Sequence, residues 1–213
     1  MIHNAVDPEE FSPAGPLPLP GPWNKFDSRV GLAAPFTRLK GHSLFFDAAR
    51  LIAEEFPQVG FLVMGGEIYD SDSEAGYGDN LVRRVRDLGL KDRVLFAGFQ
   101  NEMAPWYRAL DVVVNASRQP EPFGRTLLEG MACGRAVVGP RAGGVPEFVR
   151  HGVSGLLYEM GRAEELARAV AALLRSPALM ARLGQAGREM ALKYFSPERH
   201  AMIIVQLFRK LEI

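Results

Sequence analysis

The stretch Glu121-Pro122-Phe123-Gly124-Arg125-Thr126-Leu127-Leu128-Glu129 sets two carboxylates either side of a glycine and a helix start. Pro120 and Pro122 keep the approach extended, because each proline restricts the residue before it. Gly124 then admits close backbone approach. The first N–H groups of the helix, from Gly124, Arg125 and Thr126, lack intrahelical partners. Together with the helix dipole they can hold a pyrophosphate. Glu129 lies five residues past Gly124, about 7 Å further along the axis at 1.5 Å per residue. That is the span from a phosphate to the ribose of the same nucleotide. A carboxylate there can accept hydrogen bonds from both ribose hydroxyls, worth about 1.5–3 kcal/mol each. Glu121 falls at the distal end of such a diphosphate, where an attached group would sit. By spacing alone, a solvated loop acid at Glu121 and a surface helix acid at Glu129 read equally well.

Other loops carry weaker signals. Pro35-Phe36-Thr37-Arg38-Leu39-Lys40-Gly41-His42 holds two cations, a glycine and a helix start, which suits a phosphate or a solvated basic turn. Gly143-Gly144 allows positive φ and close approach to a ligand, or a tight strand-to-helix turn. Asp70-Ser71-Asp72 resembles a metal–diphosphate bridge but sits in a Ser-, Gly- and Asp-rich stretch that reads as a solvated loop. Gly76-Tyr77-Gly78 lacks the third glycine of a dinucleotide fingerprint. His3, His42, His151 and His200 are scattered beside one cysteine, so zinc is unsupported.

The elements that must position these loops alternate. Short apolar runs at Val30–Ala34, Phe61–Met64, Val94–Ala97, Asp111–Val114, Ala136–Val138 and Gly155–Tyr158 read as strands. Between them lie helical patterns: Leu44, Ala48, Leu51, Ile52 and Phe56; then Leu81, Val82, Val85 and Leu88, capped by Gly89; then Asn101–Leu110 and Arg125–Cys133. The tail from Ala163 is helical, broken at Pro177 and Pro197. Such alternation predicts an α/β fold, a Rossmann-like doubly wound parallel sheet of about six strands with helices on both faces. Ligands in such sheets sit beyond the carboxyl ends of the strands, where these loops lie.

Composition bounds the function. The 213 residues are 47% apolar and 23% charged, an ordinary globular balance. About 70% of the extended surface can be buried at this size. Lys+Arg and Asp+Glu are 25 each, which removes a bulk electrostatic case for nucleic acid. A single cysteine, Cys133, excludes an internal disulfide and suits a reducing compartment. No apolar run reaches a membrane span, and Met1–Asp7 lacks a basic or apolar leader, so a cytoplasmic location is expected. Pro13, Pro16, Pro18, Pro20 and Pro22 make residues 1–28 an extended linker, followed by a domain over 29–195 and a C-terminal helix over 196–213.

Several motifs, in order, resemble one family. Glu121-Pro122-Phe123-Gly124 through Glu129 resembles the E-x7-E motif of retaining GT-B glycosyltransferases. Gly130-Met131-Ala132-Cys133-Gly134 and Gly143-Gly144-Val145-Pro146-Glu147 resemble glycosyltransferase family 4, as do Lys40-Gly41-His42 and Asp92–Phe99. The match runs over most of residues 29–200. It implies the C-terminal, donor-binding half of a hexosyltransferase, inactive without the N-terminal acceptor domain. The donor implied is a UDP-, GDP- or ADP-linked sugar, and the acceptor a sugar or a lipid-linked molecule. Lys40 would neutralise the diphosphate, while amides around Phe123, Gly124 and Arg125 contact sugar and phosphate. Glu121 would touch the donor hexose as the catalytic residue, Glu129 the ribose, and Gly98-Phe99-Gln100 the base.

The resemblance implies neither metal nor cofactor, because cations and the helix dipole stabilise the leaving diphosphate. Where the family commonly carries an arginine five residues before the lysine, this chain has Pro35, and Arg38 stands as the substitute. Met1–Asp7 resembles the inter-domain linker. The tail from Phe195 resembles a helix that packs on the other half through Ile203, Ile204, Leu207 and Phe208, and any peripheral membrane contact would fall to that half. The alternative is a non-catalytic nucleotide-binding or interaction subunit that pairs with a separate acceptor-binding chain.

Overall fold

The computed structural model describes residues 4–15, 17, 19, 21–67 and 76–210. In chain order the elements are β1 (Ser28–Ala33), α1 (His42–Glu55), β2 (Val59–Met64), α2 (Tyr77–Asp87), β3 (Val94–Gly98), α3 (Ala104–Arg108), β4 (Val112–Val114), α4 (Arg125–Ala132), β5 (Ala136–Pro140), α5 (Val145–Phe148), β6 (Leu156–Tyr158), α6 (Ala163–Arg175), α7 (Pro177–Tyr194) and α8 (Pro197–Lys210). The strands form one parallel sheet in the order β3-β2-β1-β4-β5-β6. The fold is therefore the α/β Rossmann-like architecture expected. Its strand order reverses between β1 and β4, which opens the crevice where such sheets bind ligands.

Side chains divide by strand period. Phe61 and Val63 of β2 join the core under α1, α2 and α6, while Leu62 and Met64 join the core under α3, α4 and α7. Burial on both faces explains why the strands read as unbroken apolar runs rather than alternating ones. Pro177 and Pro197 begin α7 and α8, where a proline's missing N–H costs nothing. Val82, expected on the buried face of α2, is 45% exposed; Tyr77, Leu81 and Val85 are the residues that pack. Gly89 closes α2 at φ +70°.

Within residues 1–28, expected as a linker, several of the described residues pack on the domain. Val6, Phe11, Trp23 and Phe26 are buried in the α3/α4 core, Val6 N–H donates to Phe195 O at 2.8 Å, and Arg108 Nε donates to Ser12 O at 2.9 Å. The stretch straps the domain, and Trp23 and Phe26 cover Gly60 so closely that a Cβ there would meet them at 2.6 and 2.7 Å. Pro16, Pro18 and Pro20, and the Asp70-Ser71-Asp72 motif, lie outside the described residues, as do Met1, Ile2 and His3. No described helix is long and apolar enough to cross a membrane. On α8 no residue is buried, and Met202, Val205, Leu207 and Phe208 are exposed.

Candidate functional site

Three strand-end loops interlock at the β1/β4 reversal. After β1 the chain makes a 3-10 turn, Arg38–Lys40, and Gly41 turns it into α1 at φ +71°. A Cβ on Gly41 would stand 1.8 Å from Ala116 O, so this turn touches the loop after β4. Arg118 N–H donates to Leu39 O at 2.8 Å across the same seam. Gly144 N–H donates to Glu121 O at 2.9 Å, which brings in the loop after β5. Gly143, at φ +60°, approaches the Glu121 backbone, where a Cβ would meet its oxygen at 2.2 Å. The Gly143-Gly144 pair therefore serves loop-to-loop packing.

Between the first two loops lies a cleft of about 130 Å³, lined by Ala34, Lys40, Ser117, Glu121, Arg125 and Thr126 among others. Lys40 Nζ donates to Glu121 Oε1 at 2.6 Å, and Ser117 Oγ donates to the same oxygen. Asn115 Oδ1 accepts from Ser117 N–H at 3.0 Å, and Tyr158 OH donates to Asn115 O at 3.2 Å, so the loop after β4 is pinned from two sides. Burial acts to raise the Glu121 carboxyl, but hydrogen bonds from Lys40 and Ser117 and the Lys40 charge prevail and hold it below the usual carboxylate range. It is an anion at neutral pH.

The wall of the cleft is the start of α4. Its N-cap is Gly124, at φ +93°, and no side chain caps it. The first amides of α4 therefore have no capping side chain, and Arg125 and Thr126 line the cleft. One and a third turns on, Glu129 is only 7% exposed. Its Oε2 accepts from Tyr107 OH at 2.7 Å and its Oε1 from Arg125 Nε at 2.8 Å. Burial raises its carboxyl, and the bonds from Tyr107 and Arg125 offset this only in part.

The expected residues are thus distributed unevenly. Lys40, Glu121, Gly124, Arg125 and Thr126 meet in the cleft, and Glu129 stands behind Arg125. The Phe123 side chain is buried against Phe148 and Phe195, with ring centroids at 4.8 and 5.9 Å, and does not line the cleft. Arg38 stands over the Tyr77 ring at 5.2 Å and lines the groove between α1 and α2 instead of the cleft. Gly98, Phe99 and Gln100 sit at the end of β3, two strands from β1 and so about 10 Å away. Phe99 is 62% exposed there, and Gln100 folds back on Ala97 O.

Sequence reasoning missed Ser117, Asn115 and Tyr107. Ser117 and Asn115 carried the signal of any polar residue at a strand end; Tyr107 carried none. His42, next to Lys40-Gly41, is fully buried between Phe36 and Tyr77, and burial lowers its imidazole to about 4. It is neutral at pH 7 and acts by packing. Burial likewise pushes the Cys133 thiol up to about 11, which leaves it inert.

Residues 24–190 match the family model described as glycosyl transferases, group 1. The chain belongs to this family. Among its relatives, the lipopolysaccharide core biosynthesis glycosyltransferase LpsE of Rhizobium meliloti is 39% identical over 129 residues, 61% of this chain and 38% of that protein. The mannosyltransferase LpsB of the same organism and pathway name is 31% identical over 224 residues, 99% of this chain and 60% of that protein. The crystal structure of Anabaena Alr3699/HepE in complex with UDP-glucose superposes with a TM-score of 0.86 at 28% identity, covering 98% of this chain and 57% of that one. This group 1 glycosyltransferase chain therefore spans a little over half the length of its longest-matched relatives, and its fold is one Rossmann-like half of the GT-B architecture.

Proposed function

We propose that this chain is the nucleotide-sugar-binding half of a retaining glycosyltransferase, one that moves a hexosyl group onto a sugar or lipid-linked acceptor. The observation that carries the reading is the meeting of Lys40 and Glu121 beside the uncapped start of α4, at the strand-order reversal. A leaving diphosphate needs positive charge where its own negative charge develops. Lys40 and the α4 amides supply it at the cleft, so this reading requires no divalent ion. Lys40 and Ser117 both bond Glu121 through Oε1, which holds the carboxylate at the cleft, where it would meet the donor hexose. Glu129 then takes the ribose. The HepE complexes with UDP and UDP-glucose favour UDP as the nucleotide. Transfer would require an acceptor-binding half in addition to these residues, because proximity is what binding energy supplies to such a reaction.

Calorimetric titration of UDP, GDP and ADP into the chain and into Glu129→Gln tests the reading. We expect one of the three to bind, and the variant to bind it about tenfold more weakly, the loss of a hydrogen bond to a charged acceptor. Equal heats for both proteins would reject the ribose assignment, and no binding by any nucleotide would reject the donor site.

A further inference from the structure

The donor site needs a second cation, and the structure shows where one is. A diphosphate carries more charge than one lysine neutralises. Pro35 offers none, and Arg38 is turned toward Tyr77 in a different groove. Arg125 lines the cleft itself. Its side chain is 69% exposed and held by one ion pair, to Glu129. Its place in the helix is unfavourable by local rules. It is the first residue of α4, at the positive end of the dipole, and it precedes its acid partner by four residues, the weaker order for such a pair. A residue that breaks local rules at the mouth of a cleft points to a ligand. An anion at the helix start would reverse the sign of that conflict.

Building on the donor-site reading, we infer that Arg125 is a partner-switching cation. In the nucleotide-free protein it covers Glu129 Oε1. When the diphosphate arrives, Arg125 swings onto it and uncovers that oxygen for a ribose hydroxyl. Tyr107, fully buried, keeps its bond to Oε2 and so holds the carboxylate in place through the exchange. Lys40 undergoes the parallel exchange at Glu121. Phosphate capture and ribose recognition are then linked through one side chain: the diphosphate removes the group that blocks the ribose acceptor. No bond to carbon or phosphorus forms or breaks in this step; hydrogen bonds and ion pairs are exchanged.

The test compares UDP, UMP and uridine on the wild-type chain, Arg125→Ala, Arg125→Lys and Arg38→Ala, with melting temperature as the folding control. If the chain prefers GDP or ADP, the same series is run on that base. Arg125→Ala should weaken the diphosphate at least about tenfold and the monophosphate less. It should leave the nucleoside unchanged or bind it more tightly, because Glu129 Oε1 is already uncovered. Arg125→Lys should recover part of the loss, and Arg38→Ala should stay within about twofold of wild type. The inference is overturned if Arg125→Ala leaves the diphosphate within twofold, or weakens all three ligands by one factor. Failure of the parent reading looks different: wild type itself would bind no nucleoside diphosphate.

Discussion

Glu129 has a partner on each oxygen before any ligand arrives, and the two partners differ in kind. Arg125 is exposed and replaceable, whereas Tyr107 is buried and fixed. The proposed ribose contact requires an ionised carboxylate, yet burial raises it toward the neutral form. Tyr107 donates to the ionised form and so opposes that rise. Removing its hydroxyl therefore shifts the carboxyl further up. In Tyr107→Phe, the loss of nucleotide affinity on acidification should begin at higher pH than in wild type, with about a tenfold gap near pH 5 that narrows toward pH 8. Titrations of UDP across that range check it; parallel curves for the two proteins would assign Tyr107 a packing role alone. The two glutamates and Lys40 stood out by residue type and spacing, which left solvated readings open; the family resemblance alone gave them donor-site roles. Tyr107 and Ser117 did not stand out, because their role depends on contacts that only the folded chain creates: Tyr107 reaches an acid 22 positions away, on another helix.

At the scale of elements, the site depends on how closely loops meet. Gly41 combines a left-handed φ with a neighbouring carbonyl 1.8 Å from where a Cβ would sit, whereas Gly89 has the same φ and open space around it. Gly89→Ala should cost about 1 kcal/mol and leave nucleotide binding intact. Gly41→Ala should cost about 2 kcal/mol or more and also abolish UDP binding, because the turn that carries Lys40 must back away from Ala116. Urea unfolding with parallel UDP titration separates the cases; similar stability and binding in both variants would show that the seam is soft. The alternation of strands and helices was readable because both faces of the sheet are covered, so each strand is a plain apolar run. The N-terminal strap was not. Val6, Phe11, Trp23 and Phe26 follow no period, and the prolines around them carry the signal of a spacer. The direction of Arg38 was equally hidden, since a side chain at a turn can face either groove beside it.

Across the whole molecule, the reversal between β1 and β4 explains why residues far apart in sequence meet in one cleft. Lys40 from one side and Glu121 from the other face each other because their strands are neighbours running the same way. At the cleft, Lys40 is paired with Glu121 and Arg125 with Glu129. On α8, Leu207 and Phe208 are exposed and Ile203 and Ile204 half-buried, so its apolar residues are not taken up by the described core. Where a nucleotide lodges decides whether the proposed donor site is real. A crystal structure of the chain with bound UDP is the most direct measurement. It should show diphosphate oxygens bonded to Lys40 Nζ and to the amides at the start of α4, with the ribose against Glu129. UDP lodged in the groove beside Arg38 and Tyr77, with Lys40 still closed on Glu121, would contradict it.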